Sequence, residues 1–107
     1  MGSNLDFVNY VMEQLGNSKQ ITYKKMFGEY AVYFEGKVVA LICNNQLFVK
    51  VTNAGKEFVD SLKQAPPYPG AKPHFLVEEK LEDRNWLAQL ITVTNNDLPE
   101  PKAKKIR

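Results

Sequence analysis

Hydrophobic and polar residues follow two different spacings along the chain, and each spacing predicts a different kind of element. Between residues 5 and 15 the apolar positions recur every three or four residues, which predicts an amphipathic α-helix lying on a sheet. Its apolar stripe consists of Leu5, Phe7, Val8, Val11, Met12 and Leu15. Ser3 or Asn4 can cap the start of this helix, and Gly16-Asn17 favours its end because both residues accept a left-handed conformation.

A β-rich stretch over residues 26–51 predicts an antiparallel meander of three strands. Val, Tyr, Phe and Ile dominate the stretch, and these residues suit a pleated, half-buried surface. The predicted strands are 27–35, 37–43 and 47–51. Tight turns are expected at Glu35-Gly36 and Asn44-Asn45, since Gly and Asn tolerate the positive φ angles that two-residue hairpins need.

The second half of the chain predicts two helices and one more strand around a proline-rich segment. These elements are a helix over 53–64 capped by Thr52 or Asn53, a short strand over 74–77 at an edge, and a helix over 83–95 capped by Asp83. Residues 65–73 contain four prolines and are expected to form a stiff loop, either a docking surface or a rigid crossover. The predicted fold is therefore α+β in two layers, with an antiparallel sheet (the three-strand meander plus one or two further strands) packed against helices in the order α-β-β-β-α-β-α.

The second predicted strand suggests an interaction surface, because its run Val-Val-Ala-Leu-Ile-Cys has no polar break. A strand with one face in water normally alternates, so both faces of this one should be covered. Helices would cover one face, and a second copy of the chain is the economical cover for the other, which predicts a homodimer. The residues expected to contact a protein partner are Tyr30, Tyr33, Val39, Leu41, Phe48, Pro67 and Tyr68.

The net charge is informative about partners only when its distribution along the chain is considered. The chain has 107 residues and a formal charge of +2, but residues 98–107 carry +3, which leaves −1 for residues 1–97. We expect residues 1–97 to form one domain and residues 98–107 a disordered basic tail. A domain that grips nucleic acid through its folded face usually carries a basic stripe there, so this charge distribution disfavours that role.

A nucleic-acid accessory protein nevertheless stays open as the alternative function. Residues 18–25 are predicted to be a polar connection, and Lys19, Lys24 and Lys25 within it could form a small basic patch together with the tail. The aromatic stretch over 25–34 loosely resembles the base-stacking strand of RNA-recognition domains. It occupies the wrong place in the predicted element order, and Glu29 within it would repel phosphate.

Candidate catalytic and metal-binding residues are sparse. Cys43 and His74 could in principle form an activated thiolate pair, but Cys43 closes an apolar strand, where cysteine usually behaves as a buried hydrophobe. Two isolated residues do not supply a metal site. The carboxylates near residues 78–83 favour the start of the last helix more than a divalent cation. We therefore expect neither enzymatic activity nor a cofactor.

The expected location follows from three features of the sequence. No apolar run approaches the roughly 20 residues of a membrane helix. The N-terminus lacks a basic region and Asp6 interrupts its apolar residues, unlike a signal peptide. A single cysteine excludes an intrachain disulfide and fits a reducing compartment. A cytoplasmic protein is expected.

Over residues 5–97 the chain resembles the N-terminal domain of the TfoX/Sxy family, bacterial regulators of natural competence. The residues that carry the resemblance are Met26-Phe27-Gly28, Tyr30, Tyr33, Gly36-Lys37, Ala40-Leu41-Ile42, Leu47, Phe48, Lys50, Pro66-Pro67-Tyr68, Leu81 and Trp86-Leu87. The family often has a second glycine after Met-Phe-Gly, where this chain has Glu29.

The resemblance implies an antiparallel sheet backed by helices, similar to the secretion-chaperone-like architecture that often dimerises. It also implies a regulatory role without catalysis, since family members are thought to assist a cyclic-AMP-responsive activator at competence genes. Full-length members of the family carry a further helical domain. On this resemblance, the expected partner is a protein, such as a transcription activator.

Overall fold

A computed structural model describes residues 2–16 and 19–99 and confirms the α+β class. The elements are α1 (Leu5–Gln14), β1 (Ile21–Met26), β2 (Glu29–Phe34), β3 (Lys37–Cys43), β4 (Gln46–Val49), α2 (Asn53–Val59), β5 (Gln64–Ala65), β6 (His74–Val77), a 3₁₀ turn (Glu79–Glu82) and α3 (Arg84–Asp97). The predicted helix stop at Asn17 and nearly all of the predicted tail lie outside the described residues.

The six strands form one antiparallel sheet in the order β1-β2-β3-β4-β6-β5. Two-residue turns join the first four strands, and both central residues of each turn have positive φ, as type I′ hairpins require. The turns are Phe27-Gly28, Glu35-Gly36 and Asn44-Asn45. The second and third turns confirm the prediction, whereas the first was not predicted because Phe strongly disfavours positive φ.

Strand β1 lies where the sequence predicted only a polar connection. Its residues Thr22, Lys24 and Lys25 are exposed, while Ile21 and Tyr23 are half-buried and pack against the core. A strand at the edge of a sheet can expose most of its length to water, so its polar composition is typical of a protected edge. The prediction was wrong here because composition alone does not distinguish such an edge from a loop.

The elements around the proline-rich segment differ from the prediction in length and place. Helix α2 ends at Val59 rather than near residue 64, because Asp60 adopts a φ of 67° that no helix continues. The short strand β5 takes the place of the predicted last helical turn. Strand β6 has the predicted bounds, but it pairs with β4 on one side and β5 on the other, so it is not an edge.

The main core lies between the sheet and the helices. It contains the buried face of α1, the apolar side of α3 and the sheet residues Tyr30, Val32, Val39, Ala40, Ile42, Leu47, Val49, Phe75 and Val77. A β-bulge at Val39 places this residue and Ala40 on the same side, which accounts for part of the unbroken apolar run. Leu5, predicted in the stripe of α1, is instead 50% exposed because it lies in the first turn.

The second face of the sheet is also buried, as predicted for β3, but it is covered within one chain and not by the second copy that the sequence suggested. Its buried residues are Ala31, Leu41, Cys43, Phe48 and Leu76. The proline-rich segment lies against this face, since the buried Pro67 borders the same hollow as Leu41 and Cys43. The homodimer stays a prediction. The need to cover this face was the reason for predicting it, and the described chain covers the face itself.

No helix within the described ranges is long and apolar enough to cross a membrane.

Candidate interaction groove

An open, largely apolar hollow of about 590 Å³ lies between the β1–β2 turn, the end of β3 and the proline-rich segment. We call it the groove; its lining residues are Met26, Phe27, Glu29, Tyr30, Leu41, Cys43, Asn44, Pro67, Tyr68 and Pro69. Its volume lies in the range of small-molecule and side-chain binding clefts. The groove unites the Met-Phe-Gly turn with the sheet surface and the proline-rich loop, which are far apart in sequence.

Two aromatic rings stand at the rim of the groove. Phe27 is 98% exposed and Tyr68 is 55% exposed. Phe27 also has a φ of 51°, a conformation that costs an L-residue with a side chain about 1–2 kcal/mol. A strained and fully exposed phenylalanine contributes no burial within the chain. The position therefore favours binding over folding.

The floor of the groove contains the chain's cysteine, which is buried. Burial, reinforced by the negative charge of Glu29, raises the pKa of the Cys43 thiol to about 11. The thiol is therefore protonated and a poor nucleophile at neutral pH. Cys43 lies level with Gln46, whereas the register of β4 and β6 puts His74 level with residue 50. Cys43 and His74 are therefore four residues apart along the strands, or some 13 Å at about 3.3 Å per residue. This separation excludes the alternative of a Cys–His pair.

Glu29 ties the wall of the groove to the N-terminal segment. Its Oε1 accepts a hydrogen bond from the amide of Ser3 (2.9 Å), and its Oε2 accepts one from the amide of Asn44 (3.0 Å). The amide of Asn45 donates to the Ser3 hydroxyl (3.0 Å), and the amide of Asn4 donates to Asn45 Oδ1 (2.7 Å). These bonds hold two turns and the N-terminal segment together at one end of the sheet.

Contacts at this end of the sheet also set the ionisation of Glu29. Partial burial by itself would raise its pKa, but the hydrogen bonds from the Ser3 hydroxyl and from the backbone amides of Asn44 and Ser3 outweigh it and lower the pKa below its ordinary value. Glu29 is thus a carboxylate at neutral pH, and it is the charged side chain among the residues that line the groove.

The structure brings four of the predicted interaction residues into the lining of the groove, and these are Tyr30, Leu41, Pro67 and Tyr68. The ring of Tyr30 also meets Tyr23 edge-on at 5.7 Å on the helix side.

The other predicted interaction residues lie elsewhere. Phe48 is buried on the same face of the sheet, and Tyr33 is half-buried there beneath the Lys24 ammonium, which lies 5.5 Å from its ring centroid. Val39 is completely buried on the helix side, so it cannot reach a partner.

The remaining residues of the family motif have structural roles. Gly36 supplies a φ of 86° in the β2–β3 turn. Lys37 Nζ donates to the carbonyl oxygens of Asn95 (3.0 Å) and Leu98 (3.1 Å), which caps the C-terminal end of α3 with a positive charge. Lys50 is half-buried, and this burial lowers its pKa.

The sequence did not predict the parts played by Met26, Phe27 and Glu29 in the groove. The available signal was Phe27 directly before Gly28, because a residue preceding glycine between two β-rich runs is a common hairpin position. No comparable signal exists for Glu29, whose partners lie 15 and 26 residues away.

The described residues offer little support for metal or nucleic-acid binding at this site. In residues 2–16 and 19–99 no group of three or more His, Cys, Asp or Glu side chains could hold a metal ion. Lys24 and Lys25 are consecutive strand residues, so their side chains leave opposite faces of the sheet. The nucleic-acid alternative stays a prediction, and most of the tail it invokes lies outside the described residues.

Comparison with known proteins identifies similar sequences. The sequence profile of the TfoX N-terminal domain family matches residues 13–96. A protein of Spirochaeta aurantia, named "Uncharacterized 12.7 kDa protein in trpE 5'region", is 35% identical over 107 residues. The match covers all of this chain and 93% of that protein.

Proposed function

Because this chain belongs to the TfoX N-terminal domain family, we propose that it is a non-enzymatic, regulatory protein-interaction module whose groove receives a segment of a partner protein. One observation carries the proposal. Phe27 is held at positive φ, almost fully exposed, beside an open apolar hollow.

The chemistry of the groove is typical of a protein-binding site. Exposed aromatic residues that frame a pocket are the usual anchors of protein interfaces, and Phe27 and Tyr68 occupy such positions. The buried floor residue Leu41 offers an apolar surface to an incoming side chain. The protonated thiol of Cys43 and the hydrogen-bonded carboxylate of Glu29 support binding rather than catalysis at this site.

The regulatory part of the proposal comes from the family. In this role the module would bind a transcription regulator, and the groove would supply the contact. A homodimer is compatible with the same surface, since Phe27 of one copy could enter the groove of another.

The test replaces Phe27 by asparagine, which keeps the turn because Asn-Gly is the preferred type I′ pair. The control is Tyr10→Ser on α1, because Tyr10 is also an exposed aromatic residue but lies outside the groove. Tagged wild-type protein and both variants are used to capture partners from the native cell, and light scattering measures self-association.

We expect Phe27→Asn to lose at least about tenfold in partner recovery, equivalent to some 1.4 kcal/mol, while Tyr10→Ser retains it. Loss of a dimer in Phe27→Asn alone would identify a second copy as the occupant. Equal recovery and equal mass for all three proteins would refute the proposed role of the groove.

A further inference from the structure

Among the described residues, strand β1 pairs only with β2 and is therefore an edge of the sheet, so its outward backbone groups can be assigned. The amide of Glu35 donates to the carbonyl of Gln20 at 2.9 Å, so these two residues form a hydrogen-bonded pair. Such pairs alternate along an antiparallel ladder, and therefore Thr22 and Lys24 also direct their N–H and C=O groups towards β2. The N–H and C=O groups of Ile21, Tyr23 and Lys25 consequently point away from the sheet.

Two lysines give this edge a positive charge. Lys24 and Lys25 are exposed, and neither forms an ion pair with another residue in the described ranges. Lysines on an edge discourage pairing with an identical strand, because they bring like charges together. The same charges attract a strand that carries carboxylates.

The helix side of the edge has room for apolar side chains. A hollow of about 330 Å³ opens between α1 and β1, and its lining residues are Asn9, Met12, Ile21, Thr22 and Tyr23. The side chain of a residue on an added strand next to Ile21 or Tyr23 would point to this side. The next residue would point to the opposite side, where Lys24 lies.

We propose that β1 is a docking edge for an extended acidic segment of a partner protein, which adds to the sheet as a seventh strand. The segment alternates apolar residues, which enter the hollow, with carboxylates, which face Lys24. Its backbone pairs with the outward groups of Ile21, Tyr23 and Lys25. This surface is separate from the groove, so either proposal can fail without the other.

The probe is an acetylated and amidated peptide of alternating Glu and Val, seven residues long, with a fluorescent label. The control peptide has Lys in place of Glu. Fluorescence anisotropy measures affinity for the full chain, and NMR-detected amide exchange locates the contact. Without peptide, the amides of Thr22 and Lys24 should exchange slowly and those of Ile21, Tyr23 and Lys25 rapidly. With the acidic peptide at saturation, all five should exchange slowly.

Two variants separate the charge from the backbone. Lys24→Glu/Lys25→Glu should bind the acidic peptide at least about tenfold more weakly. Lys25→Pro removes an outward donor without breaking the β1–β2 ladder, whereas Lys25→Ala removes the same charge and keeps the donor. We expect Lys25→Pro to bind more weakly than Lys25→Ala, and circular dichroism verifies that each variant is folded.

Several results would overturn the proposal. The first is that the acidic peptide does not bind at concentrations up to about 1 mM. The second is that the lysine peptide binds equally well. The third is that the amide exchange rates of Tyr23 and Lys25 are unchanged in the complex. Slow exchange of these amides in the free protein, together with a dimeric mass, would also overturn it, because a second copy of the chain would then be the partner of β1. Phe27→Asn should bind the peptide as the wild type does, which keeps this test independent of the groove.

Discussion

Replacing Phe27 by asparagine should make the protein more stable, although it removes a large apolar side chain. Phe27 is 98% exposed, so its ring contributes almost no burial in the folded state. Its φ of 51° costs about 1–2 kcal/mol for a residue such as Phe, and asparagine tolerates this region better. We therefore expect a gain of about 1 kcal/mol in the free energy of unfolding, or some 4 °C in Tm.

The assay is urea denaturation followed by circular dichroism, with Tm from calorimetry. Phe27→Ala is the matched control, because it removes the ring but keeps a β-carbon in the strained conformation. Its stability should change by less than about 0.5 kcal/mol. The two variants thus separate relief of strain from loss of the side chain.

A destabilised Phe27→Asn would refute the reasoning. A loss of more than about 0.5 kcal/mol would mean that the ring supports the fold, and Phe27 would no longer point to an interaction site. A gain in stability together with loss of partner binding would show that the chain retains a strained residue for its contacts with other molecules.

Three further predictions concern residues around the groove and the sheet ends. The pKa of Glu29 lies below its ordinary value in the folded state, so its contribution to stability is present above the unfolded pKa and lost as pH falls through the folded pKa. Urea titrations at a series of pH values should therefore show that Glu29→Gln loses less unfolding free energy than the wild type as the pH falls. An identical decrease for the two proteins would contradict this. Lys37→Met removes the charged hydrogen bonds to the carbonyls of Asn95 and Leu98, and denaturation should show a loss of about 1–3 kcal/mol; unchanged stability would mean that the cap is replaced by water. Cys43, with a pKa near 11 and a buried thiol, should react slowly with iodoacetamide at neutral pH and rapidly in urea, and fast labelling of the native protein would disprove its burial.

Local patterns predicted most of the fold. Asp83 and Asn4 were recognisable helix caps, and both accept the expected amide hydrogen bond in the structure. The Glu35-Gly36 and Asn44-Asn45 turns were recognisable because their residues tolerate positive φ. These features depend on neighbours a few residues apart, which a single sequence displays directly.

The candidate site could not be predicted in the same way, because it is built from distant residues. The groove combines Phe27 with Leu41 and Tyr68, and nothing local shows that the proline-rich segment returns to the sheet. The covered second face of β3 was predicted correctly, but the nature of its cover depends on the tertiary path of the chain. The edge strand β1 was missed because its exposed lysines are typical of a loop.

The strand order also has a consequence for how the molecule assembles. Strands β1 to β4 are joined by two-residue turns, and such hairpins close within microseconds at little entropic cost. Strand β6 joins β4 only after an excursion over residues 50–73. Leu41 and Phe48 should accordingly remain exposed to solvent until β6 and the proline-rich segment pack against the sheet. A nascent chain paused at that stage would expose an apolar face of the sheet, which makes this late step the one most vulnerable to aggregation.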